Sequence, residues 1–169
     1  MLTEDNPAEI RSGDYLLSNN AWGAGPLAGW NQNIGLISNK NGVLSAIWNW
    51  DWLSSGNNVK AYVEIIYGQK PGSKISTVAF LPKKVNEINA VMVDYDVVSI
   101  HNGSGNTSFD LWLTETKYPI IFAVPPITHE IMIWLETYGD MRPAGSLVER
   151  AIIGGVPYNI FVGEKVGLG

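Results

Sequence analysis

Cysteine is absent from the 169 residues of this chain. That excludes a disulfide framework, a thiolate metal site and a cysteine nucleophile, and it leaves the redox compartment open. Histidine occurs only twice, too seldom for a His-rich metal centre, so neither a metal nor any other cofactor is expected. Charge is scarce as well: 16% of residues are charged, and the net charge is -5. Such a surface lacks the basic footprint that neutralises nucleic-acid phosphates or anionic lipid headgroups. No nucleic acid and no membrane is therefore expected as a partner, and a neutral ligand fits better. The opening residues, MLTEDNPAEIRSGD, carry acids where a leader would carry basic residues, so no signal peptide is visible. No apolar run approaches the ~20 residues that span a bilayer. Helical periodicity is missing too, because no long segment repeats apolar residues at 3.6-residue spacing.

What the chain has is aromatics and turns. Seven Trp, seven Tyr, 18 Gly and nine Pro are spread along it. Turn signals recur at Gly23-Ala24-Gly25-Pro26, Asn39-Lys40-Asn41-Gly42, Ser54-Ser55-Gly56-Asn57-Asn58, Pro71-Gly72, Asn102-Gly103-Ser104-Gly105-Asn106 and Gly154-Gly155. Between them lie short alternating segments. In Leu44 to Trp52 a period of two puts Trp48, Trp50 and Trp52 on one strand face, as an aromatic platform or as one side of a core. Further strands are predicted over Lys60 to Tyr67, Val91 to Ile100, Thr107 to Leu113, His129 to Leu135 and Pro157 to Val162, all rich in β-branched and aromatic residues. Many short strands without helices predict an all-β sandwich or jelly roll rather than a βαβ fold. The length suits one domain with a substantial core.

The stretch that carries chemistry is Thr128-His129-Glu130-Ile131-Met132-Ile133-Trp134-Leu135. Read as a strand, its odd positions form an aliphatic face expected to pack between sheets. Its even positions set Glu130, Met132 and Trp134 in a row on the other side. A second stretch, Ser108 to Thr114, turns Phe109, Leu111 and Leu113 inward and Asp110 and Trp112 outward. On neighbouring strands Asp110 would approach Glu130, raise one pKa of the pair and hold the other carboxylate in place. On residue types alone Glu130 reads equally as a solvated strand carboxylate and Asp110 as a turn cap. His129, on the aliphatic side, reads as a packing residue and is assigned no role.

Several ordered motifs carry a resemblance. They are Asn19-Asn20-Ala21-Trp22-Gly23, Trp48-Asn49-Trp50, Phe109-Asp110-Leu111-Trp112-Leu113, and Glu130-Ile131-Met132-Ile133-Trp134-Leu135 followed by Tyr138-Gly139. Arg142-Pro143-Ala144-Gly145-Ser146 and Gly154-Gly155 through Tyr158 to Gly163 continue the series. In these motifs the chain resembles glycoside hydrolase family 12, the endo-β-1,4-glucanases and xyloglucanases, and Tyr62 to Pro71 resembles that family's prokaryotic branch. The resemblance runs from about Tyr15 to the end, which sets residues 1–14 apart as an N-terminal extension and 15–169 as the domain. It implies a concanavalin-like β-sandwich (β-jelly roll), secretion, and a β-glucan as partner for a protein that is a monomer when complete. It also implies roles: Glu130 the nucleophile, Asp110 the acid that orients it, Trp22 and Trp134 the linings of glucose subsites, Asn20 a donor to a sugar hydroxyl, and Met132 a packing residue near the scissile bond. The chain departs from the family in one respect. The family's acid/base glutamate lies well downstream of the nucleophile, and residue 169 comes first. The chain is thus expected to lack its C-terminal strands and to be inactive alone. The rival expectation from another class is a non-catalytic carbohydrate-binding β-sandwich, which needs aromatic stacking but no acid pair.

Overall fold

A computed structural model describes residues 2–3, 8–21, 23, 30–52, 61–71, 73, 75–115 and 127–164. Its strands are β1 (Leu2–Thr3), β2 (Ala8–Ser12), β3 (Tyr15–Asn20), β4 (Asn31–Lys40), β5 (Val43–Asp51), β6 (Tyr62–Tyr67), β7 (Gly105–Thr114), β8 (Ile127–Tyr138), β9 (Ser146–Ile153) and β10 (Val156–Val162), with a 3-10 turn at Val85–Glu87. The chain is all-β, as its composition predicts. Turn chemistry explains two of the hairpins. Asn41 and Gly42 both hold positive φ, at 54° and 79°, as do Gly154 and Gly155 at 59° and 84°. These mirror-image turns match the twist of the strands they join, β4 to β5 and β9 to β10.

The chain divides into two compact units. The larger comprises residues 1–98 and 109–133. In it β2-β3-β6 form one antiparallel sheet and β1-β4-β5 another. Their inner faces meet over Leu17 and Ile34, both fully buried. Asn19 of β3 donates across the layer to the backbone oxygen of Gln32 in β4, at 2.6 Å. A buried amide is tolerated there because it is bonded. The tryptophans of β5 share the strand face of Ile34, which pairs with Trp48. Trp52 stacks on Trp30 with ring centroids 4.6 Å apart and donates to Gln32 Oε1 at 3.3 Å. Packing therefore accounts for Trp52, while Trp50 is 38% exposed. The smaller unit comprises residues 99–108 and 134–169, with β9 and β10 paired antiparallel.

Ahead of the expected domain start at Tyr15, Ala8–Ser12 pair in register with Tyr15–Asn19. Two expectations need revision. The Val91 to Ile100 segment, rich in β-formers, holds no strand. Met92, Val98 and Ile100 stand largely in solvent. A β-branched sequence becomes a strand only where a partner supplies the ladder, and no strand among the described residues pairs with it. The aliphatic face of β8 is not packed either, since Ile131 and Ile133 are 45% and 37% exposed. In the smaller unit Ile152, Ile153, Val156 and Val162 are likewise exposed.

Candidate active site

β7 and β8 are hydrogen-bonded neighbours in one sheet. Near one end, Thr128 Oγ1 donates to the Leu113 backbone oxygen at 3.2 Å. Asp110 and Glu130 lie on these paired strands, within the larger unit. Both are solvent-accessible. The Glu130 carboxyl titrates above its ordinary range, chiefly because the surrounding chain strips part of its water and additionally because the Asp110 charge repels a second negative charge. Glu130 remains open to solvent, which limits both causes, since water screens the repulsion too. Two strand carboxylates that feel each other's charge are the arrangement expected for a nucleophile and the acid that orients it.

Removing that charge gives a signed expectation. Asp110→Asn keeps the shape and deletes the repulsion, so the Glu130 pKa should fall. Carbon-13 NMR titration of the Glu130 carboxyl would show its midpoint moving to lower pH. A midpoint that stays in place would mean the two groups do not interact.

Met132 is half-buried, two residues along β8 from Glu130 on the same strand face. Trp134, also half-buried, belongs to the smaller unit. Asn20 ends β3, where its Nδ2 donates to Glu64 Oε1 at 2.9 Å. Trp22 lies outside the described residues. His129 is exposed rather than packed, as the rest of its face is. Among the described residues no group of three or more metal-ligating side chains gathers, and no helix is long and apolar enough to cross a membrane.

The structure also gathers groups to which the sequence reading gave no role. In the smaller unit Glu136 Oε1 meets His101 Nε2 at 3.1 Å, and Ser99 Oγ donates to Glu136 Oε2 at 3.0 Å. The His101 ring stacks on Tyr138, centroids 3.7 Å apart. Hydrogen bonds from His101 and then Ser99 hold the Glu136 carboxyl below its ordinary range. Burial, and then the Glu136 charge, raise the Tyr138 hydroxyl. The parity of β8 was the available signal, since Glu136 and Tyr138 continue the face of Glu130. A carboxyl whose folded pKa is depressed stabilises the fold above the ordinary carboxylate range, and it loses that contribution as pH falls through the lowered value. Glu136→Gln should therefore lower the melting temperature at neutral pH, and the difference from the parent should shrink as the pH is taken down towards 3. A difference that is constant with pH would show that the ionised carboxylate is not what ties this cluster together.

Known proteins resemble this chain in sequence and in fold. The profile of glycosyl hydrolase family 12 matches residues 13–168. Endoglucanase S of Pectobacterium parmentieri is 30% identical over 149 residues, which cover 88% of this chain and 54% of that protein. A probable xyloglucan-specific endo-β-1,4-glucanase A of Aspergillus terreus is 26% identical, covering 94% of this chain and 59% of its own length. The chain thus spans little more than half the length of these relatives. Among solved structures, the native family 12 xyloglucanase from Bacillus licheniformis superposes with a TM-score of 0.76 at 27% identity, covering all of this chain and 71% of that one. Humicola grisea Cel12A, with a TM-score of 0.64 at 20% identity, shares the fold. The all-β architecture, the paired strands that carry Asp110 and Glu130, and a family match over nearly the whole chain lead to one conclusion: this chain belongs to glycosyl hydrolase family 12.

Proposed function

We propose that the protein cuts internal β-1,4 linkages of a glucan, such as cellulose, mixed-linkage β-glucan or xyloglucan, by a double displacement that retains anomeric configuration. The observation that carries this reading is the Asp110–Glu130 pair on β7 and β8, with the Glu130 carboxyl raised by burial and by the Asp110 charge. A binding module needs no second carboxylate beside the first. In the first step a Glu130 oxygen attacks the anomeric carbon, the glycosidic C–O bond breaks, and a general acid protonates the departing oxygen. In the second step water attacks the same carbon, gives its proton to that acid's conjugate base, and releases Glu130. Asp110 acts through its charge and position on Glu130. By the family resemblance, the general acid is a glutamate supplied by chain beyond residue 169. Met132 packs beside the scissile bond, and Trp22 and Trp134 present ring faces to the C–H faces of glucose units. A polymer substrate too large to enter a cell places the enzyme outside it, and the monomer is the working form.

Initial products of β-glucan cleavage by the full-length protein, followed by proton NMR, should carry the β anomer first. Early appearance of the α anomer would mean inversion and would remove the covalent role from Glu130. Aromatic anchors dominate contacts of this type, whereas single hydroxyl hydrogen bonds exchange with water at little net gain. Replacing Trp134 with Ala should accordingly weaken binding of a cello-oligosaccharide by about tenfold or more, read by calorimetry. Unchanged affinity would place Trp134 outside the sugar path.

A further inference from the structure

Within the larger unit, a carboxylate outside the Asp110–Glu130 pair organises Asn20, a side chain to which the family resemblance gives a sugar contact. Glu64 sits on β6, and Ser18 and Asn20 of β3 pair with Glu64 and Tyr62. In antiparallel strands directly opposed residues share a face, so Asn20 and Glu64 project from the same side of the sheet. Glu64 Oε1 accepts from Asn20 Nδ2 at 2.9 Å, and Glu64 Oε2 accepts from Lys70 Nζ at 2.5 Å. A carboxylate only accepts, so the Asn20 amide must turn its nitrogen to Glu64, which leaves its oxygen directed elsewhere. Lys70 has three donors and spends one here, with its side chain 30% exposed.

The Lys70 position is built. Gly68 holds φ +98, and a Cβ there would lie 2.8 Å from Leu81 Cδ1, so glycine alone fits both the backbone and the space. Gly68 N donates to Thr77 Oγ1 at 2.7 Å, and Thr77 N donates to Gly68 O at 2.8 Å, which closes the intervening loop at its neck. Inside the loop, Ser73 N bonds Lys70 O, and Gln69 Nε2 bonds Ser73 O. Arg11 Nη2, from β2 of the same sheet, donates to the Thr77 backbone oxygen at 3.2 Å. Thr77 and Val78 are buried. The loop thus returns Lys70 onto the strand it has just left. A lysine–glutamate pair that is still partly open to solvent contributes only modest stability by itself, which does not account for a loop built to return Lys70 to Glu64.

We propose that Glu64 is a positioning residue of the glucan site, fixing the Asn20 amide with its oxygen presented as an acceptor for a glucose hydroxyl and the Lys70 ammonium beside it as a donor to the same sugar. The inference rests on the reading of this protein as a β-glucan hydrolase. It changes the expected sense of the Asn20 contact from donor to acceptor, and it adds Lys70 as a sugar-binding residue. Glu64 itself touches no sugar.

The test is an NMR titration of the full-length protein with a non-hydrolysable, thio-linked cellotetraose up to millimolar concentrations, which registers weak binding. Resonances of the Asn20 side-chain amide, the Lys70 ammonium and the Glu130 carboxyl are followed in the parent, Glu64→Gln, Lys70→Arg and Lys70→Met. The inference expects Asn20 and Lys70 to shift on addition of sugar. Losing a hydrogen bond to a charged group should weaken binding about tenfold in Lys70→Met, with substantial rescue in Lys70→Arg. Glu64→Gln, which keeps the shape and removes the charge, should weaken it several-fold with a nearly unchanged melting temperature. Glu64→Gln made in an Asn20→Ala, Lys70→Met background should cost nothing further, since it would have nothing left to position. Sugar-dependent shifts at Glu130 with none at Asn20 and Lys70, or full affinity in Glu64→Gln, would overturn this inference and leave the hydrolase reading standing. No shift at any of the three groups would overturn both.

Discussion

Replacing Glu130 with Ala in the full-length protein should abolish β-glucan hydrolysis, with kcat falling by on the order of 10⁴–10⁶-fold, the scale on which removal of an attacking group acts elsewhere. On the proposed mechanism the loss is larger than for any binding residue, because the group that would form the bond to the anomeric carbon has no carboxylate next to it on its strand face. On the Glu130 side of β8 the next residues in either direction are Thr128 and Met132, and neither is a carboxylate. The loss should fall on kcat, while cello-oligosaccharide affinity stays within a few-fold, since Glu130 contributes one carboxylate among several sugar contacts. A shortened side chain also leaves room for a small anion. Azide added to the Ala variant should restore turnover of a substrate with an activated leaving group, giving a glycosyl azide of inverted configuration. Persistent activity in Glu130→Ala would move the nucleophile elsewhere.

The second large effect concerns the 169-residue chain assayed by itself, which should show no measurable glucanase activity. General acid assistance contributes about 10²–10⁴-fold to such a reaction. In the proposed mechanism Asp110 orients Glu130 and is not the group that protonates the leaving oxygen. The later acids of the chain are Glu136, Asp140, Glu149 and Glu164, of which Glu149 and Glu164 stand exposed in the smaller unit. Exposed apolar side chains add to the deficit: Ile131 and Ile133 on β8, and Ile152 and Val156 on the β9–β10 hairpin. Surfaces of this kind invite association, so the chain alone should bind a hydrophobic dye and self-associate at high concentration. A monomeric, cooperatively melting chain that hydrolyses β-glucan in a Glu130-dependent way would contradict this. Glu149 and Glu164 would then be the first residues to replace in search of the acid.

Much of the site could be read from the chain because strand parity is a strong code. Alternation placed Glu130 and Met132 on one face of β8 and turned Asp110 outward on its own strand, and it is the structure that pairs those two strands. The turns at Asn41-Gly42 and Gly154-Gly155 were legible for a similar reason, since their backbone demands residues that tolerate positive φ. Other features escaped because they depend on partners far away in sequence. Val91 to Ile100 has the composition of a strand, but composition cannot supply a ladder partner. Ala8–Ser12 lack a strong apolar pattern and become β2 through pairing with β3. Asn31–Lys40 opens on three polar residues, yet Gln32 and Asn33 are buried, where propensity alone suggests a loop. The Glu64 network escaped for a different reason: Lys70 reaches Glu64 only because a glycine turn and a threonine clamp close the loop between Gly68 and Thr77. Sequence spacing does not reveal that closure.

The most direct measurement of the central claim is covalent trapping. A 2-deoxy-2-fluoro cellobioside with a good leaving group destabilises the oxocarbenium-like transition states of both steps, while the activated leaving group keeps the first step fast enough for the glycosyl-enzyme to accumulate. Incubated with the full-length protein, digested and sequenced by mass spectrometry, it should leave one fluoroglycosyl group per molecule, on the peptide containing Glu130, and cellotetraose should slow the labelling. A label on any other carboxylate, or active enzyme that is never labelled, would contradict the assignment of Glu130 as the nucleophile.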